Sequence, residues 1–122
     1  MAHTILCVED EPDLLEDLSG ELREAGYNVI TASEGPSALK VIVAGGIDLI
    51  LCDVQLPGMT GLEIRQNLLE TGADDIPFAL LTAYSDGHIR AQAEALAVKN
   101  LIVKPIDYDE LLDLIPRLLA SA

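Results

Sequence analysis

Short apolar runs alternate along this chain with stretches whose apolar residues recur every three or four positions. Thr4-Ile5-Leu6-Cys7-Val8 is continuous enough to predict a buried strand. Pro12 suits the first turn of a helix; Leu14, Leu15, Leu18, Leu22 and Ala25 then recur at helical spacing, and Gly26 closes the helix. Tyr27-Asn28-Val29-Ile30-Thr31-Ala32 is a second strand, rich in strong β formers. Gly35-Pro36 opens a second helix, expected from about Ser37 to Ala44 and ended by Gly45-Gly46. Val41, Ile42 and Val43 are consecutive there, so some apolar surface must stay outside the core.

Asp48-Leu49-Ile50-Leu51-Cys52 is the third strand, and it ends on the lone carboxylate of Asp53 before a Pro57-Gly58 turn. Thr60-Gly61 lead into a helix carrying Leu62, Ile64, Leu68 and Leu69, closed by Gly72. Ile76-Pro77-Phe78-Ala79-Leu80-Leu81 is the fourth strand and runs into Thr82-Ala83-Tyr84-Ser85. Asp86 is placed to cap an alanine-rich fourth helix reaching Leu96. Asn100-Leu101-Ile102-Val103 is the fifth strand and ends at Lys104-Pro105. Asp107 caps the last helix, with Leu111, Leu112, Ile115, Leu118 and Leu119 on one face; Pro116 should kink or interrupt it. Five strand–helix alternations with short connections predict an α/β fold, a parallel sheet with helices on both faces and right-handed crossovers. No repeat, low-complexity segment or linker intervenes, so residues 1–122 are expected to form one domain.

Composition narrows the functions this fold could serve. Aromatics are 3% of the 122 residues, so the core must come from Leu, Ile, Val and Ala. The formal charge is −14, from 21 acidic and 7 basic residues, which argues against contact with nucleic acid or an anionic membrane. Met1-Ala2-His3-Thr4 lacks the basic start of a secretory leader, and no apolar run approaches bilayer length. A cytoplasmic location is expected. Cys7 and Cys52 fit no metal-ligand spacing and are read as reduced core thiols, whose sulfurs could lie close if their strands are neighbours.

The strand ends carry the chemistry. In a parallel sheet all C-terminal ends share one edge, where open α/β sheets bind ligands. That edge receives Glu9 and Asp10, Asp53, Thr82 and Lys104, each directly after a separate apolar strand. Singly, an acid as turn former, a Thr as turn residue and a Lys as solvated charge are ordinary. Acids, hydroxyl and ammonium arising together from four strand ends are far harder to obtain by chance. Glu9, Asp10 and Asp53 make a hard, oxygen-rich site suited to Mg2+. Asp53 is then a candidate nucleophile for a phosphoryl group, with Lys104 and Thr82 supplying charge and a hydroxyl to its oxygens.

With these residues in place, the whole chain resembles the receiver domain of two-component response regulators, the CheY-like fold. Glu9-Asp10 match the acidic pair, Asp53 with Leu56-Pro57-Gly58-Met59-Thr60-Gly61 matches the phosphoacceptor and its loop, Thr82-Ala83 match the switch hydroxyl and its small neighbour, and Lys104-Pro105 match the lysine and a proline whose peptide bond is usually cis. The resemblance implies a flavodoxin-like five-stranded parallel sheet in the order 2-1-3-4-5. It implies Mg2+ held by Asp10, Asp53 and the backbone carbonyl of Gln55, with Glu9 acting mainly through water. It implies phosphate taken from a histidine of a sensor histidine kinase or histidine phosphotransfer protein, a donor position that neither His3 nor His88 matches. The first helix is the implied kinase-docking surface, and the fourth helix, fifth strand and fifth helix the surface that switches. Output would belong to a separate protein or another part of a larger one.

Three departures stand out. Glu9 replaces the more frequent Asp. Leu101 stands where an aromatic usually rotates to report phosphorylation, so that coupling cannot operate as such. Ala97-Val98-Lys99-Asn100 lacks the usual Gly and acid before the fifth strand. The resemblance implies that Gln55 and Tyr84 flank the acyl phosphate and tune its hydrolysis. Two rival functions remain: a receiver-like interaction module that works without phosphorylation, and a Mg2+-dependent phosphohydrolase. The second lacks another acid two residues past Asp53, where Gln55 sits.

Overall fold

The apolar runs become strands, and the spaced apolar positions become helices, in strict alternation. The computed structural model describes residues 2–83 and 87–121. In chain order these are β1 (Thr4–Val8), α1 (Pro12–Glu24), β2 (Asn28–Ala32), α2 (Gly35–Ala44), β3 (Leu49–Asp53), α3 (Gly61–Thr71), β4 (Phe78–Thr82), α4 (Gly87–Ala95), β5 (Asn100–Val103) and α5 (Tyr108–Ala120). The five strands are parallel and ordered β2-β1-β3-β4-β5, the flavodoxin/CheY-like arrangement. Every residue of β3 and β4 is buried, as their unbroken apolar character requires, whereas the edge strands β2 and β5 are only partly covered.

Alternation along each strand divides the core in two. One face packs Leu18 and Leu22 of α1 with Leu111, Ile115 and Leu118 of α5. The other packs Ala38 and Ile42 of α2, Ile64 and Leu68 of α3 and Ala93 of α4. Cys7 belongs to the first face and Cys52 to the second, although β1 and β3 are neighbours. Their register places Cys52 opposite Val8, one residue past Cys7, so the sulfurs project to opposite sides of the sheet. The closeness that neighbouring strands could have allowed is therefore ruled out by pleat parity.

Local signals set most boundaries. Pro12 opens α1, while Pro36 draws the start of α2 back to Gly35, two residues before the expected Ser37. Of the apolar triplet in α2, Ile42 is buried, Val41 is partly buried and Val43 is exposed. Thr60 caps α3 in a reciprocal box with Glu63, and Asp107 caps α5 by accepting the Glu110 N–H. Gly72 ends α3 in the left-handed conformation. The sequence provides no glycine after α4, and Ala97 takes the left-handed position itself at φ 59°. There Ala97 N–H bonds Glu94 O and Val98 N–H bonds Ala93 O, the paired closure usually built around glycine. Helix α5 runs through Pro116 to Ala120 without the interruption expected of its ring; Pro116 lies on the exposed side. The expected Asp86 cap, and Tyr84 and Ser85 before it, fall outside the described residues. No helix among the described residues is long and apolar enough to cross a membrane.

Candidate functional site

Parallel strands bring their C-terminal residues to one rim, where a cleft of about 370 Å3 opens. Glu9, Asp10, Asp53, Gln55, Thr82 and Lys104 all line it, so every site residue singled out from the sequence converges there. Tyr84 alone of the residues expected to flank the site lies outside the described residues.

Asp53 is the last residue of β3 and is 5% exposed. Its Oδ1 accepts the Gln55 N–H at 2.9 Å, and its Oδ2 pairs with the Lys104 ammonium. Glu9, 1% exposed, accepts from Lys104 Nζ through Oε1 at 2.7 Å and from the Glu11 N–H through Oε2 at 3.1 Å. Burial above all, and then the neighbouring Asp53 carboxylate, push Glu9 above the usual carboxylate range, with Lys104 opposing. Burial works to lower Lys104, but the paired Asp53 and Glu9 carboxylates outweigh it and hold the ammonium above the ordinary lysine range. Thr82 ends β4 at 2% exposure, and its carbonyl accepts the Lys104 N–H at 2.8 Å. The Lys104-Pro105 peptide bond is cis.

Behind the site the backbone is tightly packed. Gly61 opens α3 against the Asp53 carbonyl, where a Cβ would stand 2.3 Å from that oxygen. Its N–H bonds the Val54 carbonyl at 2.9 Å, while Val54 N–H bonds Leu81 O at the same distance. Asp53 is thus held from the strand on one side and from α3 on the other.

The carboxylates fit a small hard cation. One oxygen each from Glu9, Asp10 and Asp53 lie within 4.8 Å of one another. Oxygens opposed across Mg2+ stand about 4.2 Å apart, given bonds of about 2.1 Å, so small side-chain adjustments suffice. Lys104 meanwhile contacts two of these three acids, which shows that the cluster draws a positive charge. Ile89 of α4 also lines the cleft, a role that periodicity did not single out. Its signal was weak: one branched apolar residue near the start of an alanine-rich helix.

A model of the response regulator receiver domain family matches residues 5–116. The chain belongs to that family. Among curated relatives, this receiver domain is 35% identical over 108 residues to the transcriptional regulatory protein DltR of Streptococcus agalactiae and 36% identical over 108 residues to the response regulator ArlR of Staphylococcus aureus. Each alignment covers 88% of this chain and 48% of the relative, so the chain spans about half the length of the curated relatives it matches. Among solved structures, a putative response regulator from Chloroflexus aurantiacus superposes with a TM-score of 0.91 at 30% identity, covering 98% of this chain and 99% of its own. The response regulator protein TrrA of Thermotoga maritima, in complex with Mg2+-BeF, superposes at 0.84 with 38% identity, covering 95% and 98%. Receiver domains of this family are phosphoacceptors of two-component signalling.

Proposed function

We propose that Asp53 is the phosphoacceptor, that Glu9, Asp10 and Asp53 with the Gln55 carbonyl hold Mg2+, and that Thr82 and Lys104 read the phosphoryl group. The observation that supports this most is the meeting of three acids, one hydroxyl and one ammonium from four strand ends in one cleft. The donor is the phosphohistidine of a sensor histidine kinase or a phosphotransfer protein. An Asp53 carboxylate oxygen attacks phosphorus, a P–O bond forms, the P–N bond breaks, and the electron pair leaves with the imidazole. When bound, Mg2+ supplies charge neutralisation for the carboxylates and the incoming oxygens. Lys104, paired with Asp53 before transfer, turns its ammonium to the phosphoryl oxygens once the carboxylate is esterified. The Thr82 hydroxyl donates to another of them. The loops after β4 and β5 follow, shifting a two-state equilibrium at the surface of α4, β5 and α5.

In this reading the chain is a phosphoacceptor that assists its own loading and unloading and does not turn over an external substrate. It works in the cytoplasm, where its kinase presents the phosphohistidine. The phosphorylation-independent reading draws on Leu101, which is half-buried against the α2–α4 core and offers no aromatic to rotate. The complete acid, hydroxyl and ammonium set favours phosphorylation over it.

Incubation with a small-molecule phosphodonor and Mg2+ tests the assignment. The parent chain should gain about 80 Da, the mass of one phosphoryl group, and Asp53→Asn should not. An adduct that persists in the variant would remove Asp53 from its role. Failure of the parent to bind beryllofluoride with Mg2+ would favour the phosphorylation-independent module.

A further inference from the structure

The opposite edge of the sheet carries a second cleft, unrelated to the first. Where β4 and β5 begin, a cavity of about 440 Å3 opens between the start of those strands, α3 and the end of α5. Arg65, Lys99 and Arg117 line it, three of the seven lysines and arginines in a chain of charge −14. None of the three forms an ion pair among the described residues. Lys99 and Arg117 are exposed and can be solvated by water; Arg65 cannot.

Arg65 sharpens the point. It is only 6% exposed. Its Nε donates to the Leu96 carbonyl at 2.9 Å, and its guanidinium lies 5.7 Å from the centre of the Phe78 ring. Its Nη1 is buried without a hydrogen-bond partner, the only such side-chain atom among the described residues. A buried, charged N–H group left unpaired is costly, and structures rarely keep one without an acceptor to meet it.

The lining also defines the acceptor. Asp74 and Asp75 face the same cavity, leaving an excess of one positive charge. A monoanion balances that excess; a dianion exceeds it and is repelled by both aspartates. Phe78, Leu114 and Leu118 give the wall an apolar portion suited to a hydrocarbon body, beside the polar Asn100 and Ser121. We propose that this cleft binds a small organic monocarboxylate, its oxygens among Arg65, Lys99 and Arg117 and its carbon skeleton against Phe78 and Leu118. Guanidinium groups match a carboxylate in planar, two-point fashion, and a small turn of the Arg65 side chain toward the cavity would give its unmet Nη1 an entering oxygen as acceptor.

Backbone amide NMR on the whole chain tests this, with benzoate as the probe and inorganic phosphate and benzyl alcohol as separate arms. Benzoate should give saturable shifts confined to residues 74–78, 97–100 and 114–121, with phosphate and benzyl alcohol at least about tenfold weaker. Lys99→Gln with Arg117→Gln, both at exposed positions that leave the core intact, should weaken benzoate at least about tenfold. Arg65→Lys, which keeps the charge and loses the fork, should weaken it as well. The proposal is overturned by any of three results: no saturable shift by about 10 mM benzoate, an equal response to phosphate or benzyl alcohol, or unchanged affinity in the double variant.

Discussion

The Lys104 ammonium lies 2.7 Å from Oε1 of Glu9 and pairs at the same time with Asp53, so one side chain from the end of β5 ties together the ends of β1 and β3. Both carboxylates are almost fully buried, and Lys104 is the cation they share.

Replacing Lys104 by Met leaves those carboxylates without a partner. Breaking a buried pair costs about 3–5 kcal/mol; Lys104 is itself partly exposed, so a loss of about 2 kcal/mol is expected in Mg2+-free buffer. Millimolar Mg2+ should restore most of it, because the same oxygens then hold another cation. Urea denaturation with and without Mg2+ measures both. An equal loss in the two buffers would mean that ammonium and metal do not share these carboxylates.

Gly61 lacks a side chain for a steric reason, and Gly20 does not. A Cβ at Gly61 would meet the Asp53 carbonyl at 2.3 Å, whereas one at Gly20 would meet nothing within 4 Å. Gly61→Ala should therefore cost about 2 kcal/mol and slow phosphate uptake more than about tenfold, by moving Asp53 on its backbone. Gly20→Ala, inside α1, should stabilise by about 0.5–1 kcal/mol and leave uptake unchanged. Chemical denaturation and intact-mass kinetics on the two variants check the contrast, which reverses if the close approach is not real.

The cysteines should behave as core atoms. Burial pushes the Cys7 thiol from 9.0 up to about 12, with Arg23 opposing, and pushes Cys52 up as well. Thiol reagents at pH 8 should label both only as fast as the chain opens, and oxidation should form no intramolecular disulfide. Below pH 9 the Cys7 thiol is protonated in both states and contributes no pH dependence. Between 9.0 and about 12 the unfolded chain gives up this proton and the folded chain keeps it, so stability falls as pH rises. Cys7→Ala should flatten that alkaline decline in denaturation midpoints measured from pH 8 to 11. A decline just as steep in the variant would assign it to other groups.

Ala97 holds a left-handed conformation, which costs a residue bearing a Cβ about 1–2 kcal/mol. Glycine removes that cost and adds some entropy to the unfolded chain. Ala97→Gly should accordingly stabilise by about 0.5–1 kcal/mol, read as a rise in melting temperature. A fall would mean that the closure of α4 depends on the Ala97 methyl group.

Much of this protein was legible without coordinates. The alternation of apolar runs with helical spacing needs only local physics: a strand buried on both faces must be apolar throughout, and a helix covering it must be apolar on one side. Once the strands are parallel, their ends share an edge, so Glu9, Asp10, Asp53, Thr82 and Lys104 were assembled by topology alone. Boundaries slipped by a residue or two, as at Gly35, because Pro36 is tolerated in a first helical turn and also serves as a breaker.

What the sequence determined by itself, then, is the order of elements and the chemical inventory of the rim, since both follow from near-neighbour patterns. Only the tertiary structure decided which groups touch. That Lys104 spans Glu9 and Asp53, that Cys7 and Cys52 part to opposite faces, and that Arg65 is buried on Phe78 with one nitrogen unmet all depend on register and on packing between distant segments. Those are set by how whole side chains fill space across the sheet, and no window along the chain carries that information.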